Sequence, residues 1–248
     1  MKNIMIASGL MLLSACVNAM DAKKVRAPIV IDGIANEASW RSAQWLPLDQ
    51  LLVGEMPTVE DFSGRFKVMW DNNQLYLLVE LTDDVLMDSH PDPLDKYWDD
   101  DCLEIFIDED NSGGNHQFNY NAFAYHIALD NQAVDIGKNH PDGSANFLTL
   151  NDHLDSHWRR SEQAPYNVIW EVALRVYDDR FDPTAKSPQR PVDLTVGKHL
   201  GFMLAYCDND ASKERESFMG STPIKAINGD KNLGYITSDV FDKLTLIN

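Results

Sequence analysis

The segment Tyr97-Trp98-Asp99-Asp100-Asp101-Cys102-Leu103-Glu104-Ile105-Phe106-Ile107-Asp108 sets aromatic rings, an acidic cluster and a further carboxylate on an alternating run. From Cys102 onward the pattern is that of a strand. Leu103, Ile105 and Ile107 share one face, and Glu104, Phe106 and Asp108 share the other, which predicts a glutamate on the outer face of the sheet. With Trp98 on the loop leading in, an indole plane and the Glu104 carboxylate can share a small polar ligand. The flanking Asp95, Lys96, Asp99, Asp100 and Asp101 predict a solvent-facing loop for Trp98, and an exposed aromatic points to binding. Trp40, Trp70 and Trp170 sit within apolar patterns and are expected in the core.

Other chemistries are less well served. Asp108-Glu109-Asp110-Asn111-Ser112-Gly113-Gly114 has the alternating oxygens and glycine turn of a calcium loop, but no glutamate follows at the EF-hand position. It reads equally as an acidic turn. Asp83, Asp84 and Asp88 form a second oxygen-rich stretch, while His116, His126 and His140 lack the close spacing of zinc ligands. A glycosidase needs two carboxyl groups about 5 to 9.5 Å apart. Glu104 with Asp100 or Glu171 can be imagined, yet acidic residues are abundant throughout, and no nucleophile elbow, P-loop, dinucleotide fingerprint or zincin helix is found. A non-catalytic protein is expected. An alternative is haem held by an axial pair drawn from Met69, Met87, Met203 and Met219.

The formal charge of -18 over 248 residues, with pI near 4.6, argues against nucleic acid or anionic membrane surfaces as partners. Lys2 followed by the apolar run Ile4 to Leu13 has the form of a secretory signal, too short to span a bilayer. Leu13-Ser14-Ala15-Cys16 resembles a bacterial lipobox, which makes Cys16 the lipidated first residue of an outer-membrane lipoprotein. Cleavage after Val17-Asn18-Ala19 would instead release soluble periplasmic or secreted protein beginning at Met20. The expected organisation is signal peptide 1–15, tether 16–27 and one domain over 28–248. Cys102 and Cys207 remain after the signal, in a compartment that permits disulfides, and their pairing is left open.

The elements that position these residues are mostly strands. The spacing predicts one short helix, about Asn36 to Ala43, with Asn36 as its N-cap. Strands are expected at Gly64 to Asp71, Gln74 to Asp83, Cys102 to Asp108, His116 to Ala128, Val168 to Tyr177, Leu200 to Cys207 and Leu244 to Ile247. The first two flank Asn72-Asn73, where asparagine's tolerance of positive φ suits a tight hairpin. Many strands joined by Gly, Pro, Asp and Asn turns predict an all-β, antiparallel sandwich of jelly-roll or immunoglobulin-like type.

Taken in order, Ile29-Val30-Ile31-Asp32-Gly33 with Trp40, Val68-Met69-Trp70-Asp71, Trp98 to Asp108, Trp170-Glu171-Val172, Gly201-Phe202 and Phe241-Asp242-Lys243-Leu244 resemble the family 9 carbohydrate-binding modules found on bacterial xylanases. The resemblance runs along most of the mature chain. It implies a β-sandwich in which two aromatic rings clasp a terminal sugar and polar side chains bond its rim. By position it assigns Trp98 and Tyr235 to the aromatic walls, and Glu104, Asn119, Asn121 and Asn232 to the polar contacts. Where the family places an arginine, this chain has Asn119, shorter and without the forked donors. The resemblance also implies an oligo- or polysaccharide partner, structural calcium, for which Asp108 and Asp110 are candidates, and glycoside hydrolases acting in the same pathway.

Overall fold

The structure is a computed structural model and describes residues 20–211 and 213–248. The signal run, the lipobox and Cys16 lie outside the described residues. The strands are β1 (Met20–Lys24), β2 (Leu46–Leu48), β3 (Gln50–Gly54), β4 (Phe62–Trp70), β5 (Leu75–Asp83), β6 (Cys102–Asp108) and β7 (Phe123–Ala128). They continue with β8 (Ala133–Gly137), β9 (Asn146–Thr149), β10 (Leu154–Arg160), β11 (Asn167–Leu174), β12 (His199–Asp208), β13 (Ser217–Gly220) and β14 (Asp242–Ile247). The order across the sheet is β10-β11-β5-β4-β1-β14-β12-β6-β7-β8-β9, with β13 joining β12 to β3 and β2 lying on β4.

The sheet curls so that its two halves face each other. Val68, Trp70, Leu77, Val79, Val172 and Leu174 from one half share a core with Leu103, Ile105, Ile107, Phe202 and Leu204 from the other. Phe62 stacks on Tyr206 with ring centroids 5.2 Å apart, and Phe66 meets Phe202 at 6.0 Å, so the halves are packed face to face as the layers of a sandwich.

Three expectations need correction. The stretch read as a tether, 16–27, contributes β1, which lies parallel to both β14 and β4 and joins the two halves of the sheet; the sandwich is therefore mixed rather than purely antiparallel. Its apolar side chains, Met20 and Ala22, are too few for a periodic signal, but both are buried. The predicted helix is only a 3-10 turn, Ala38–Ser42, and its N-cap is Glu37, which makes no side-chain cap bond. Tertiary bonds shape it: Lys67 Nζ donates to the Trp40 carbonyl at 2.6 Å and Trp40 Nε1 donates to Glu171 at 3.0 Å. The β4–β5 hairpin forms, yet neither Asn72 nor Asn73 is among the positive-φ residues. Instead Asp71 Oδ1 accepts from the amides of Asn73 and Gln74 at 2.7 and 3.0 Å, beside the backbone bond from the Asp71 amide to the Gln74 carbonyl at 3.0 Å.

Glu171 explains why separated sequence segments belong together. Its Oε2 accepts from the amides of Asp32 and Gly33 at 3.2 and 3.0 Å, while Oε1 takes the Trp40 indole. Gly33 has φ +74, and a Cβ there would meet the Trp158 backbone at 2.9 Å. A buried carboxylate thus pins the N-terminal segment onto β11.

Candidate functional site

Glu104 sits at the centre of β6, paired with Ala205 on β12 and with His126 on β7. Its face of the sheet is covered, not open: Cys102, Phe106, Ala124, Met203, Ala205 and Cys207 form a second apolar cluster with Phe218, Leu233 and Tyr235. Glu104 is consequently only 2% exposed, in contrast to the outer-face expectation. Alternation separates two faces, but it cannot reveal that the segments β3, β13 and 221–241 fold over the second.

Burying a carboxylate demands partners. His126 Nε2 lies 2.9 Å from Glu104 Oε1, Cys207 Sγ donates to the same oxygen at 3.0 Å, and Arg215 Nη1 is at 3.5 Å. Burial alone would raise the Glu104 pKa, but the nearby His126 charge and hydrogen bond, with Arg215, outweigh it and hold the group below its ordinary value. Each of these contacts engages Oε1, which leaves Oε2 for a ligand.

Above this floor lies a cavity of about 300 Å³ lined by Tyr97, Trp98, Glu104, His126, Ile136, Phe147, Arg215, Asn232 and Tyr235. Trp98 meets Tyr97 edge-on at 5.0 Å and Phe147 at 6.1 Å, and Tyr97 in turn packs edge-on against His126 at 4.6 Å. The loop carrying Trp98 is held rigidly. Asp100 accepts from the Ser89 and His90 amides at 2.9 and 2.8 Å, and Asp101 accepts from those of Met87 and Asn209 at 2.5 and 2.8 Å. The acidic run therefore braces the loop from inside: Asp99, Asp100 and Asp101 are buried, contrary to the solvent-facing reading, while Trp98 keeps partial exposure.

Asn232 and Tyr235 arrive from the segment between β13 and β14. Gly234 makes that possible, since a Cβ at this position would meet Met203 at 2.7 Å and Phe106 at 2.9 Å. His116 fastens the segment by donating Nε2–H to the Gly234 carbonyl at 2.8 Å and its amide to Ile236 at 2.9 Å. Burial drives the His116 pKa down to about 4, so it is a neutral structural group at physiological pH.

Trp98, Glu104, Asn232 and Tyr235 are thus brought together, and Asn119 and Asn121 are not. Asn119 donates to the Asn115 carbonyl at 3.1 Å and accepts from the Asn121 amide at 2.8 Å, while Asn121 donates to the Gly113 carbonyl at 2.8 Å. They close the turns before β7, which begins at Phe123 rather than His116. The guanidinium at the cavity is that of Arg215, between β12 and β13, 11% exposed and lying over the Phe218 ring. Tyr97, His126, Phe147 and Arg215 were missed by sequence reasoning. His126 alone carried a usable signal, as the cross-strand neighbour of Glu104 once β6 and β7 pair.

The remaining candidates have other duties. Glu171 holds the N-terminal segment and Asp100 a loop, so neither faces Glu104 across a cavity. Met69, Met203 and Met219 fill three separate apolar clusters, and Met87 is half-buried on the loop between β5 and β6. At the proposed calcium loop, the Asp108 oxygens accept from the amides of Asp110 and Gly113, and Asp110 accepts from Ser112, so the turn is satisfied by its own backbone. Orphaned oxygens occur elsewhere. Asp83, Asp208 and Asp210 cluster at the end of β5 and β12, each with one buried oxygen lacking a partner. Burial, and then repulsion from neighbouring carboxylates that include Asp61 and Asp84, pushes them up to about 6, 7 and 6. Three adjoining carboxylates with free oxygens fit a hard divalent cation.

A curled β-sandwich with an aromatic cavity over a buried, paired carboxylate defines a small-ligand binding domain. The chain belongs to the carbohydrate family 9 binding domain-like family, whose model matches residues 31–248. An 82-residue segment is 33% identical to endo-1,4-beta-xylanase A of Thermotoga maritima and 30% identical to that of Thermotoga neapolitana, spanning 33% of this chain and 7% of each xylanase. The fold is similar to a family 9 carbohydrate-binding module from Caldicellulosiruptor kristjanssonii in complex with cellotriose, with TM-score 0.61 and 19% identity over 93% of this chain and 94% of that one. It is also similar to the module from that organism in complex with glucose (TM-score 0.59, 19% identity, 91% and 95% covered) and to a putative carbohydrate-binding protein from Bacteroides uniformis (0.56, 11%, 92% and 98%).

Proposed function

We propose that this protein is a non-catalytic carbohydrate-binding module of an exported lipoprotein, and that its cavity takes a terminal sugar of a glycan. The observation that carries the reading is the combination of the Trp98 and Tyr235 rings with the buried Glu104–Arg215–His126 floor. A pyranose presents C–H groups on its faces and hydroxyls around its rim, so aromatic planes suit the former and fixed charged donors and acceptors the latter. Glu104 Oε2 and Asn232 bond the rim, and Arg215 takes the role the family gives to an arginine elsewhere. The glucose and cellotriose in the related structures make these the first ligands to test. Isothermal titration with each should give saturable binding that Trp98→Ala weakens at least about 30-fold, the loss of a central aromatic anchor worth about 2 kcal/mol or more. Since Trp98 is on the cavity rim, the thermal midpoint should change little. An unaltered titration for the variant would refute the assignment.

The anchoring part of the proposal rests on Leu13-Ser14-Ala15-Cys16. Cys16→Ala should abolish incorporation of labelled palmitate in the producing bacterium; labelling that persists would exclude this cysteine. Calcium belongs to the same proposal, at Asp83, Asp208 and Asp210 rather than Asp108 and Asp110. There it would supply the countercharge that Arg160, bonded to the Asp83 and Asp84 carbonyls, provides only in part.

A further inference from the structure

Directly beneath the cavity, Cys102 on β6 and Cys207 on β12 are register partners. Both are free thiols and completely buried. Opposed residues of an antiparallel pair have Cα atoms about 4.5 to 5.5 Å apart, inside the window of about 4.4 to 6.8 Å that a disulfide accepts. The two sulfurs and a Glu104 carboxylate oxygen lie within 4.8 Å of one another. The register and the closeness of the sulfurs put the two side chains within reach of a cross-strand disulfide.

We propose that Cys102 and Cys207 form an oxidisable cross-strand pair whose state sets the hydrogen bonding of Glu104 at the floor of the sugar cavity. The oxidant is a disulfide compound or protein. One thiol, deprotonated, attacks the oxidant and releases one of its halves as a thiol; the second protein thiol then displaces the other half. One S–S bond forms as one breaks, two electrons pass to the oxidant, and both protons end on the released thiols. Glu104 Oε1, 3.0 Å from Cys207 Sγ, is placed to accept the departing proton, and Arg215 Nη1, also at 3.0 Å, is placed to stabilise the thiolate. Burial raises both thiols above their ordinary range, so exchange in the folded protein is slow and either state persists once set.

The consequence for the site follows from the hydrogen. In the dithiol form Cys207 donates to Oε1, already engaged by His126 and Arg215; in the disulfide form that donor is gone and the carboxylate has more capacity for a sugar hydroxyl. This part rests on the carbohydrate reading. Oxidised protein should bind about fivefold to tenfold tighter than reduced protein, the worth of one net hydrogen bond.

The test is to fold the full chain with glutathione disulfide or with reduced glutathione, alkylate it after denaturation and weigh it. Oxidised protein should carry two hydrogens fewer and no alkyl groups at Cys102 or Cys207, and should melt about 10 °C above the reduced form, because residues 102–207 are then closed in one loop. Cys207→Ser keeps a donor to Glu104 but cannot cross-link, and Cys102→Ala keeps Cys207 itself. Both should stay at the reduced affinity under either regime. Full alkylation after oxidation, or a metal ion co-purifying with both thiols, would overturn the proposal. A disulfide that forms without altering sugar affinity would overturn the coupling. A disulfide that forms in a protein binding no sugar in either state would instead overturn the carbohydrate reading.

Discussion

Replacing Glu104 by Gln tests the floor of the cavity most directly, because the change preserves shape and removes only charge. Glu104 is 2% exposed and its partner Arg215 11%, so the pair is shielded from solvent and its loss is not screened away. Removing one member of a buried ion pair costs about 3–5 kcal/mol, chiefly by leaving the other charge uncompensated. Two features moderate this figure. Glutamine keeps one carbonyl oxygen for His126 or Cys207, and the Arg215 guanidinium still lies 4.3 Å from the Phe218 ring centre. An expected loss of about 2–3 kcal/mol corresponds to a fall of about 4–12 °C in melting temperature for a domain of this size. Sugar affinity should fall about 10- to 150-fold, as one charge-assisted hydrogen bond is worth about 1.5–3 kcal/mol. Differential scanning calorimetry and isothermal titration on the same preparation measure both. The double variant Glu104→Gln with Arg215→Met should regain much of the stability, because no buried charge is then left alone, but none of the affinity. A single variant with unchanged melting and binding would refute the account of a charged, ligand-facing floor.

His116 predicts an acid limit. Its folded pKa of about 4 lies below the unfolded value of about 6.5, so its contribution is present above pH 6.5 and is lost as pH falls toward 4, about 3 kcal/mol in all. His116→Gln, which keeps a donor for the Gly234 carbonyl, should show a shallower decline in melting temperature between pH 6.5 and 4.5; an unchanged slope would refute the assignment. The acidic cluster acts with the opposite sign. Asp83, Asp208 and Asp210 have folded values raised to about 6, 7 and 6, so cation-free protein gains stability as they protonate and loses it as pH rises through that range. Calcium should therefore raise the melting temperature at pH 7.5 and much less at pH 5, where protons occupy the ligands. Equal shifts, or none, after chelation and calcium addition would exclude this cluster.

Much of the scaffold is visible in local pattern. Alternation along Cys102 to Asp108 and Val168 to Tyr177 marks strands wherever one face meets a core, and Asn72-Asn73 marks the hairpin, although Asp71 rather than asparagine at positive φ closes its turn. The failures share a cause. Met20–Lys24 has little periodicity, and pairing with β4 and β14 makes it a strand; Ala38–Ser42 is shaped by Lys67 and Glu171, far along the chain. Arg215 stands in Lys213-Glu214-Arg215-Glu216, which reads as solvated turn, until the position of β13 turns it over Phe218 and toward Glu104.

The all-β class, the order of motifs that marks the family, and an aromatic beside a strand-borne carboxylate follow from residue type and short-range spacing. Long-range packing makes Glu104 a buried ion-paired floor rather than an exposed rim, turns the acidic run into an internal brace, and brings Arg215 rather than Asn119 to the cavity. Burial of a charge is settled by what covers it. For Glu104 the cover comes from residues 97–98, 215 and 232–235, which no local pattern brings together.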